Sequence, residues 1–510
     1  MTAPSGDIER AIVSLSRGDT EIAAFLAARA LDMDPNAGRA LNIRGVALGG
    51  AEPLLAEALF AAACRNDPLD AEAWHNLAVT REQDGDFAGA IGAYRRAIRL
   101  DPFHVGAIRN ATSLLRITEH FSEALVLARR MQALLPREGL AHAHEAICLL
   151  NLGDHCGADA AFEKALALSD NHAWLHWEHH WSLLARERFG EAWDTYEYRF
   201  DEGTNNGICD TPFALPRWNA QSPFGSHVLL YGEQGFGDQI MFACAIDEFC
   251  QRAEKVSLAV SPQLVPLFAA SFPRCGVAAL PGSAEPHDLE AILAQLGASR
   301  SIDAVLPMGS LMTLLRRDRE AFQPRRYLSP SPEAAAAIRA HHGTDCSTRP
   351  FRLGLCWATN PAKERFFSRR RALNKTMPAA AMLRLLETGK REAVSLSNVP
   401  LGELGADPAD GRIVDLSDSL SDFDRTAALI DSLDLVITVD TAVAHLAGAL
   451  GARVWLLLHA NGDPRWGLPG TSRSYWYPDM RLFWQRQPGN WDEVITQVAA
   501  QLASEPEQVS

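Results

Sequence analysis

Three clusters in the C-terminal half combine residue types and spacings that can do chemistry. The first ends at Asp238, in the run Gly232-Glu233-Gln234-Gly235-Phe236-Gly237-Asp238, directly after the apolar stretch His227–Tyr231. Glycines at a strand-to-helix turn let backbone approach a ligand, and a carboxylate at the helix start can face it. That carboxylate can act as a general base, or it can cap the helix by accepting backbone N–H bonds. The second cluster is Asp440-Thr441 with His445 four residues on, after the apolar run Leu435–Val439. With Asp440 at the cap and Thr441 opening the helix, free N–H groups and the helix dipole make a phosphate cradle. His445 shares the face of Thr441, and its side chain leans back toward the helix start. Asp440 could instead hold a ligand hydroxyl, and the competing reading is a cap beside a packed histidine. The third cluster is the basic run Lys363-Glu364-Arg365-Phe366-Phe367-Ser368-Arg369-Arg370-Arg371, flanked by Trp357, Asn360 and Lys375. A loop of this kind clamps phosphate or carboxylate groups, or stands as solvated charge.

These clusters need elements to hold them. After His227–Tyr231, strand-like runs recur at Val256–Val260, Ile302–Leu306, Arg352–Trp357, Ala393–Leu396, Leu435–Val439 and Val454–Leu458. Helical stretches alternate with them: Gln239–Gln251, Gln263–Phe272, Ala379–Leu386, Asp424–Ser432 and Ala442–Leu450, the last stopped by Gly451. Such alternation predicts parallel sheets with helices on both faces. Two Rossmann-like halves follow, with a cleft where open α/β sheets bind ligands. The glycine loop lacks the G-x-G-x-x-G spacing of a dinucleotide site. Asp422-Phe423-Asp424 mimics a metal-binding D-x-D but opens a helix, so it reads as a cap. Trp357, Asn398 and Trp476 could line a nucleotide pocket, although tryptophans more often sit in cores.

The N-terminal part is organised differently. Pro35, Pro68, Pro102 and Pro136 fall 33, 34 and 34 residues apart, and each ends a helical unit. Trp74, Leu77, Gly85, Ala90, Tyr94, Ala97 and Pro102 stand at the offsets of a tetratricopeptide repeat. The same skeleton appears in Gly18, Ala23, Ala30 and Pro35; in Ala56, Phe60, Ala63 and Pro68; and in Ala124 and Pro136. It continues in Gly153, Ala158, Phe162 and Ala165, and in Gly190, Ala192 and Tyr196. Units of this size bury their faces only by stacking, and the resulting superhelix presents a concave surface suited to polypeptide. The alternative is an array that braces the C-terminal half or builds a homo-oligomer. His172, His176, His179 and His180 cluster in the last repeat without an Asp, Glu or Cys set to complete a metal site. The expected domains are therefore a repeat array over 1–204 and Rossmann-like domains over 205–345 and 346–510.

Composition narrows the function classes. A net charge of −15 with 22% charged residues argues against a general nucleic-acid binder. The nine cysteines include no C-x-x-C pair, so reduced thiols are expected rather than a disulfide framework. The first residues lack the cationic and apolar regions of a signal peptide, and no apolar run reaches the ~18 residues of a membrane helix. A cytoplasmic location is expected.

At this point the chain resembles a known family. The glycine loop ending at Asp238, the run Leu353-Gly354-Leu355-Cys356-Trp357-Ala358-Thr359-Asn360-Pro361, and Leu433–Gly451 around Asp440 and His445 carry the resemblance. Trp476-Tyr477-Pro478, Arg481-Leu482-Phe483, Gly489 and Trp491 extend it. They are similar to bacterial tetratricopeptide proteins whose C-terminal half is a GT-B glycosyltransferase related to lipopolysaccharide heptosyltransferases. The layout also resembles flagellin O-glycosyltransferases that use nonulosonic acid donors and, more distantly, O-GlcNAc transferase. The resemblance implies a metal-independent, inverting enzyme with no cofactor. Asp238 would be the base, and Asp440, Thr441, His445, Trp357, Asn360, Arg371 and Lys375 would hold the nucleotide-sugar, for instance a CMP-nonulosonic acid. The acceptor would be Ser or Thr of a protein docked on the array, with flagellin the expected case. The chain departs from the family at Arg371-Ala372, where Arg-Ser is usual, and its loop is more basic. Alternatives are a heptosyl- or hexosyltransferase acting on lipopolysaccharide or another glycan, and a non-catalytic scaffold that keeps the fold.

Overall fold

The computed structural model describes residues 4–169, 172–201, 213–219, 226–280, 289–297, 302–342, 349–358, 375–389, 391–407, 411–420 and 422–509. The chain divides into two compact units, Met1–Glu178 and His179–Ser510.

The first unit is a run of antiparallel helices, from Pro4–Ser16 and Thr20–Met33 through Ala71–Gln83, Phe87–Leu100, Val105–Ile117 and Phe121–Leu134 to Gly139–Asn151 and His155–Leu168. The repeat is written into its turns. Gly85, Glu119 and Gly153 stand 34 residues apart and all take positive φ, at 84°, 62° and 86°, and Glu187 repeats the turn at 58° just inside the second unit. The turn between paired helices needs that left-handed residue, which glycine adopts freely and glutamate only with strain. One residue later, Asp86 and Asp154 cap the second helices, each accepting from the N–H three residues on at 2.9 Å. Ala73, Ala90, Ala97, Ala107, Ala124, Ala141, Ala158 and Ala165 are fully buried, so neighbouring helices approach closely. Tyr94 fills the remaining space and donates its hydroxyl to Glu82 at 2.7 Å.

The second unit holds two parallel sheets. Strands β1 (His227–Tyr231), β2 (Lys255–Val260), β3 (Gly276–Ala279) and β4 (Ala304–Pro307) form the first, in the order β3-β2-β1-β4. Strand β5 (Arg349–Pro350) pairs antiparallel with β12 (Gln508–Val509) near the chain end. Strands β6 (Arg352–Cys356), β7 (Glu392–Ser395), β8 (Ile413–Val414), β9 (Leu435–Val439), β10 (Val454–Leu458) and β11 (Met480–Trp484) form the second sheet, ordered β11-β10-β9-β6-β7-β8. Alternate residues Leu353, Leu355 and Trp357, Leu435, Ile437 and Val439, and Trp455 and Leu457 point into one core with Val494, Ile495, Val498 and Leu502 of the helix Asp492–Leu502.

Several expectations shift. The helix expected over 239–251 is instead Phe236–Phe242, a 3-10 turn at Ala243–Ala245, and Ile246–Phe249. Strands β3, β8 and β11 lay outside the sequence reading. The compact division falls after Glu178, not near residue 204, and the physical reason is aromatic burial. Phe189 and Trp193, on the helix Phe189–Tyr196, bury their rings against Phe322 (4.6 Å), Tyr475 (5.1 Å) and Trp476 (6.1 Å) of the α/β region. Among the described residues, no helix is long and apolar enough to cross a membrane.

Candidate functional site

In each sheet the strand order reverses once, at β1 in the first and between β6 and β9 in the second. The loops leaving the carboxyl ends of β1, β9 and β10 carry the polar residues of the candidate site, where open α/β sheets bind ligands.

The loop after β1 is braced on both sides. A Cβ on Gly232 would stand 2.5 Å from the Gln239 amide, so a larger residue would push that amide out of its hydrogen bonds. Gln239 donates to the Gln234 carbonyl (2.8 Å) and to Ser261 Oγ (2.9 Å), and accepts from Ser261 N–H (3.0 Å). Gln234 donates to the Tyr196 hydroxyl at 2.6 Å. Glu233 takes a two-pronged ion pair from Arg199, at 3.1 and 3.0 Å, and a bond from Gly309 N–H at 3.0 Å. Arg199 is fully buried, sandwiched between the Tyr196 and Phe200 rings and donating to Ser310 Oγ at 2.8 Å.

Gly235 is the N-cap of Phe236–Phe242, so Asp238 lies in the first turn and is not the cap. Its carboxylate instead accepts a hydrogen bond from Arg465 Nη1. Arg465 is clamped in turn by Asp463, Nε to Oδ1 at 3.0 Å and Nη2 to Oδ2 at 2.7 Å, while its carbonyl accepts from Trp476 Nε1 at 2.9 Å. Burial disfavours the Arg465 charge, yet Asp463 and Asp238 push its pKa well above the usual value. The guanidinium is therefore a fixed cation.

Gly237 lets the helix Phe236–Phe242 lie against Ala442–Ala449, since a Cβ there would meet His445 Cδ2 at 2.9 Å and Ala442 Cα at 3.7 Å. His445 is buried, stacked on Trp466 (centroids 4.9 Å, 26°), with Nδ1 2.8 Å from the Tyr477 hydroxyl. Burial, aided by Arg465, pushes its imidazole down to about 4, so it is neutral near pH 7. Asp440 is buried and ion-paired to Lys375. Burial raises a carboxyl, but the Lys375 ammonium wins and holds Asp440 below its usual range.

Thr441 is itself the N-cap of Ala442–Ala449, one residue later than the sequence suggested, and its hydroxyl makes no cap bond. That hydroxyl faces Thr438 Oγ1 (3.3 Å) and Cys356 Sγ (3.8 Å), away from the first-turn N–H groups. Trp357 does not line a pocket: it is buried in the core of the second sheet and donates to the Leu404 carbonyl at 3.2 Å. Trp476 packs its ring against Trp193 and Phe322 and, with Tyr475 and Arg316, borders a small cavity. Asn398 is exposed just beyond β7. Asp422 caps its helix by accepting from Arg425 N–H at 2.9 Å, and Asp424 is engaged by Ser331. His180 is buried among Trp181, Trp193 and Tyr196, 2.7 Å from the Ala192 carbonyl, as a packed histidine. Asn360, Arg371 and the basic run 363–371 lie outside the described residues.

The structure thus brings Asp238 to His445 through Gly237 and Arg465, and Lys375 to Asp440. The sequence reading named Tyr477 and Glu233 without a site role and did not single out Asp463, Arg465 or Arg199. The available signal was position, since Asp463-Pro464-Arg465 follows the apolar run of β10 as a charged turn.

A family model described as "Tetratricopeptide repeat" matches residues 48–105. Protein FlbA of Caulobacter vibrioides is 26% identical over 513 residues, covering 84% of this chain and 84% of its own. The crystal structure of MamA is 21% identical with a TM-score of 0.29, covering 31% of this chain and 92% of its own. The pilF structure of Pseudomonas aeruginosa is 17% identical with a TM-score of 0.34, covering 39% and 90%. The structure of YrrB, described as a TPR protein with an unusual peptide-binding site, is 19% identical with a TM-score of 0.30, covering 32% and 86%. The chain carries tetratricopeptide repeats in its N-terminal region, followed by a parallel-sheet α/β region.

Proposed function

We propose that the α/β region is a metal-independent glycosyltransferase of the GT-B type, and that the repeat array docks its acceptor protein. The observation that carries this reading is the meeting of Asp238, in the first turn of the helix after β1, with Arg465 and His445 from the second sheet. A carboxylate and an uncapped helix start follow the strands at the reversals of two parallel sheets, and a fixed cation joins them from the loop after β10.

Transfer from a nucleotide-sugar asks for a base and for groups that receive the departing phosphate. The acceptor hydroxyl oxygen attacks the anomeric carbon and gives its proton to Asp238. The bond from that carbon to the phosphate oxygen breaks, and its electrons leave with the nucleotide. Backbone N–H groups at the start of Ala442–Ala449, Lys375 and Arg465 stabilise the negative charge, while neutral His445 donates or accepts through Nε2. Arg465 has a second role: turning from Asp238 to the incoming phosphate would free the carboxylate to act as a base. Attack on the face opposite the leaving group gives inversion.

The donor to test first is a CMP-linked nonulosonic acid, and the acceptor to test first is a flagellin, as the family resemblance suggests. The experiment incubates the full chain with donor and acceptor and weighs the acceptor by mass spectrometry. A mass increase of one sugar on Ser or Thr, lost in Asp238→Asn, supports the reading. An unmodified acceptor with CMP-, UDP-, GDP- and ADP-linked sugars alike would favour a scaffold.

A further inference from the structure

We propose that Glu72, His75 and His104 form a binding site for one divalent transition-metal ion in the repeat array. The site is independent of the sugar-transfer reading and lies wholly within the first compact unit.

Glu72 and His75 stand three residues apart on the helix Ala71–Gln83, so they leave the same face. A Glu-x-x-His pair is the spacing with which a helix offers a carboxylate and an imidazole to a common ion. His104 arrives from the next repeat, at the N-cap of Val105–Ile117. One donor atom of each residue lies within 4.8 Å of the others. His104 Nε2 is 3.0 Å from Glu72 Oε2, and the two imidazole centroids are 4.8 Å apart. A tetrahedral ion with bonds of about 2.0–2.1 Å wants donors roughly 3.3 Å apart, which modest side-chain rotation supplies.

The surroundings favour an ion over a purely structural cluster. His75 Nδ1 is buried and has no hydrogen-bond partner among the described residues, while Nε2 is 3.4 Å from the Asn110 amide. Glu72 remains largely exposed while His104 is mostly covered, which leaves an entry path on the carboxylate side. Two imidazoles and one carboxylate match a zinc-type donor set with a fourth position for water, and the nitrogen ligands disfavour Mg²⁺ and Ca²⁺. Binding has one structural consequence. Nδ1 of His104 now accepts from Ala107 N–H at 3.2 Å, and a ring ligating through Nε2 carries its proton on Nδ1. The ion therefore competes with the helix cap.

The test titrates chelator-stripped full-length protein with zinc chloride by calorimetry and records the cobalt(II) absorption spectrum. The variants are His75→Ala and His104→Asn; the second keeps a side-chain oxygen for the cap while removing the imidazole. Far-ultraviolet circular dichroism checks that each variant keeps its helices. We expect one saturable site, weakened at least about tenfold in each variant, with a tetrahedral cobalt spectrum lost in both. Zinc affinity unchanged in both variants, or no saturable zinc binding up to about 1 mM, a Kd that corresponds to only weak association, overturns the proposal.

Discussion

Arg465 reaches from the loop after β10 to the carboxylate of Asp238 in the first turn of the helix after β1, a contact between residues 227 positions apart. Asp463 holds the other side of the same guanidinium at 2.7 and 3.0 Å, so the cation is shared between two carboxylates from two sheets. In the proposed reaction one of those carboxylates takes a proton, and the cation is positioned to move toward phosphate instead.

Asp238→Asn keeps the shape of the side chain and removes its basicity. Transfer should fall by about 10²–10⁴-fold, the range general bases contribute, while nucleotide affinity stays within about threefold. Steady-state rates together with calorimetric binding check both halves.

The Arg199–Glu233 pair is the support beneath the glycine loop. Both side chains are almost wholly buried, and Arg199→Met would strand the Glu233 carboxylate in the interior. Removing one partner of such a pair costs about 3–5 kcal/mol, so urea denaturation should show a drop of that size in the transition of the α/β region. An unchanged midpoint would mean that Glu233 finds another partner.

His445 makes stability depend on pH. Its folded pKa is pushed to about 4 from the usual 6.5, so protonation opposes folding. The contribution is fully present above pH 6.5 and is lost as pH falls toward about 4, reaching about 3 kcal/mol at the low end. His445→Gln should flatten this part of the profile when denaturation midpoints at pH 7.5 and 5 are compared. His180, pushed down to about 3 by burial, remains in the variant and leaves a residual slope.

Gly237→Ala sets a methyl group 2.9 Å from the His445 ring, which Trp466 and Tyr477 hold in place. The overpacking should cost about 1–3 kcal/mol and lower transfer with it. Gly92→Ala is the control: it lies inside Phe87–Leu100 with nothing within 4 Å of its would-be Cβ, and should stabilise by about 0.5–1 kcal/mol. Thermal unfolding of the two variants distinguishes a local clash from a general glycine effect.

Local order was legible in the sequence and long-range order was not. The proline interval and the recurring alanines gave the repeat register, because each helix pair closes on its neighbour at a constant spacing. The strand-turn-helix around Asp440, Thr441 and His445 was legible because its signals lie within one apolar run and the turn after it. Thr441 was misplaced by one residue, since its backbone stays extended (φ −137°, ψ 173°) and the helix begins at Ala442. Trp357 continues the alternate apolar face of β6 and belongs to the core for that reason. β8 has only two residues, and β11 carries Arg481 within its apolar run, so neither showed the pattern of a buried strand. The pairing of Asp238 with Arg465, and of Glu233 with Arg199, depends on how distant loops meet, and no periodicity encodes it.

The most direct test of the central claim is calorimetric titration of the full chain with CMP, UDP, GDP and ADP. The account predicts saturable binding of one of them, CMP first among the candidates, weakened at least about tenfold by Lys375→Ala and by His445→Ala, as expected for losing a charge-assisted or buried hydrogen bond. Absence of binding to all four nucleotides, or binding that neither variant changes, would contradict a nucleotide-sugar site at Asp238, Asp440 and His445.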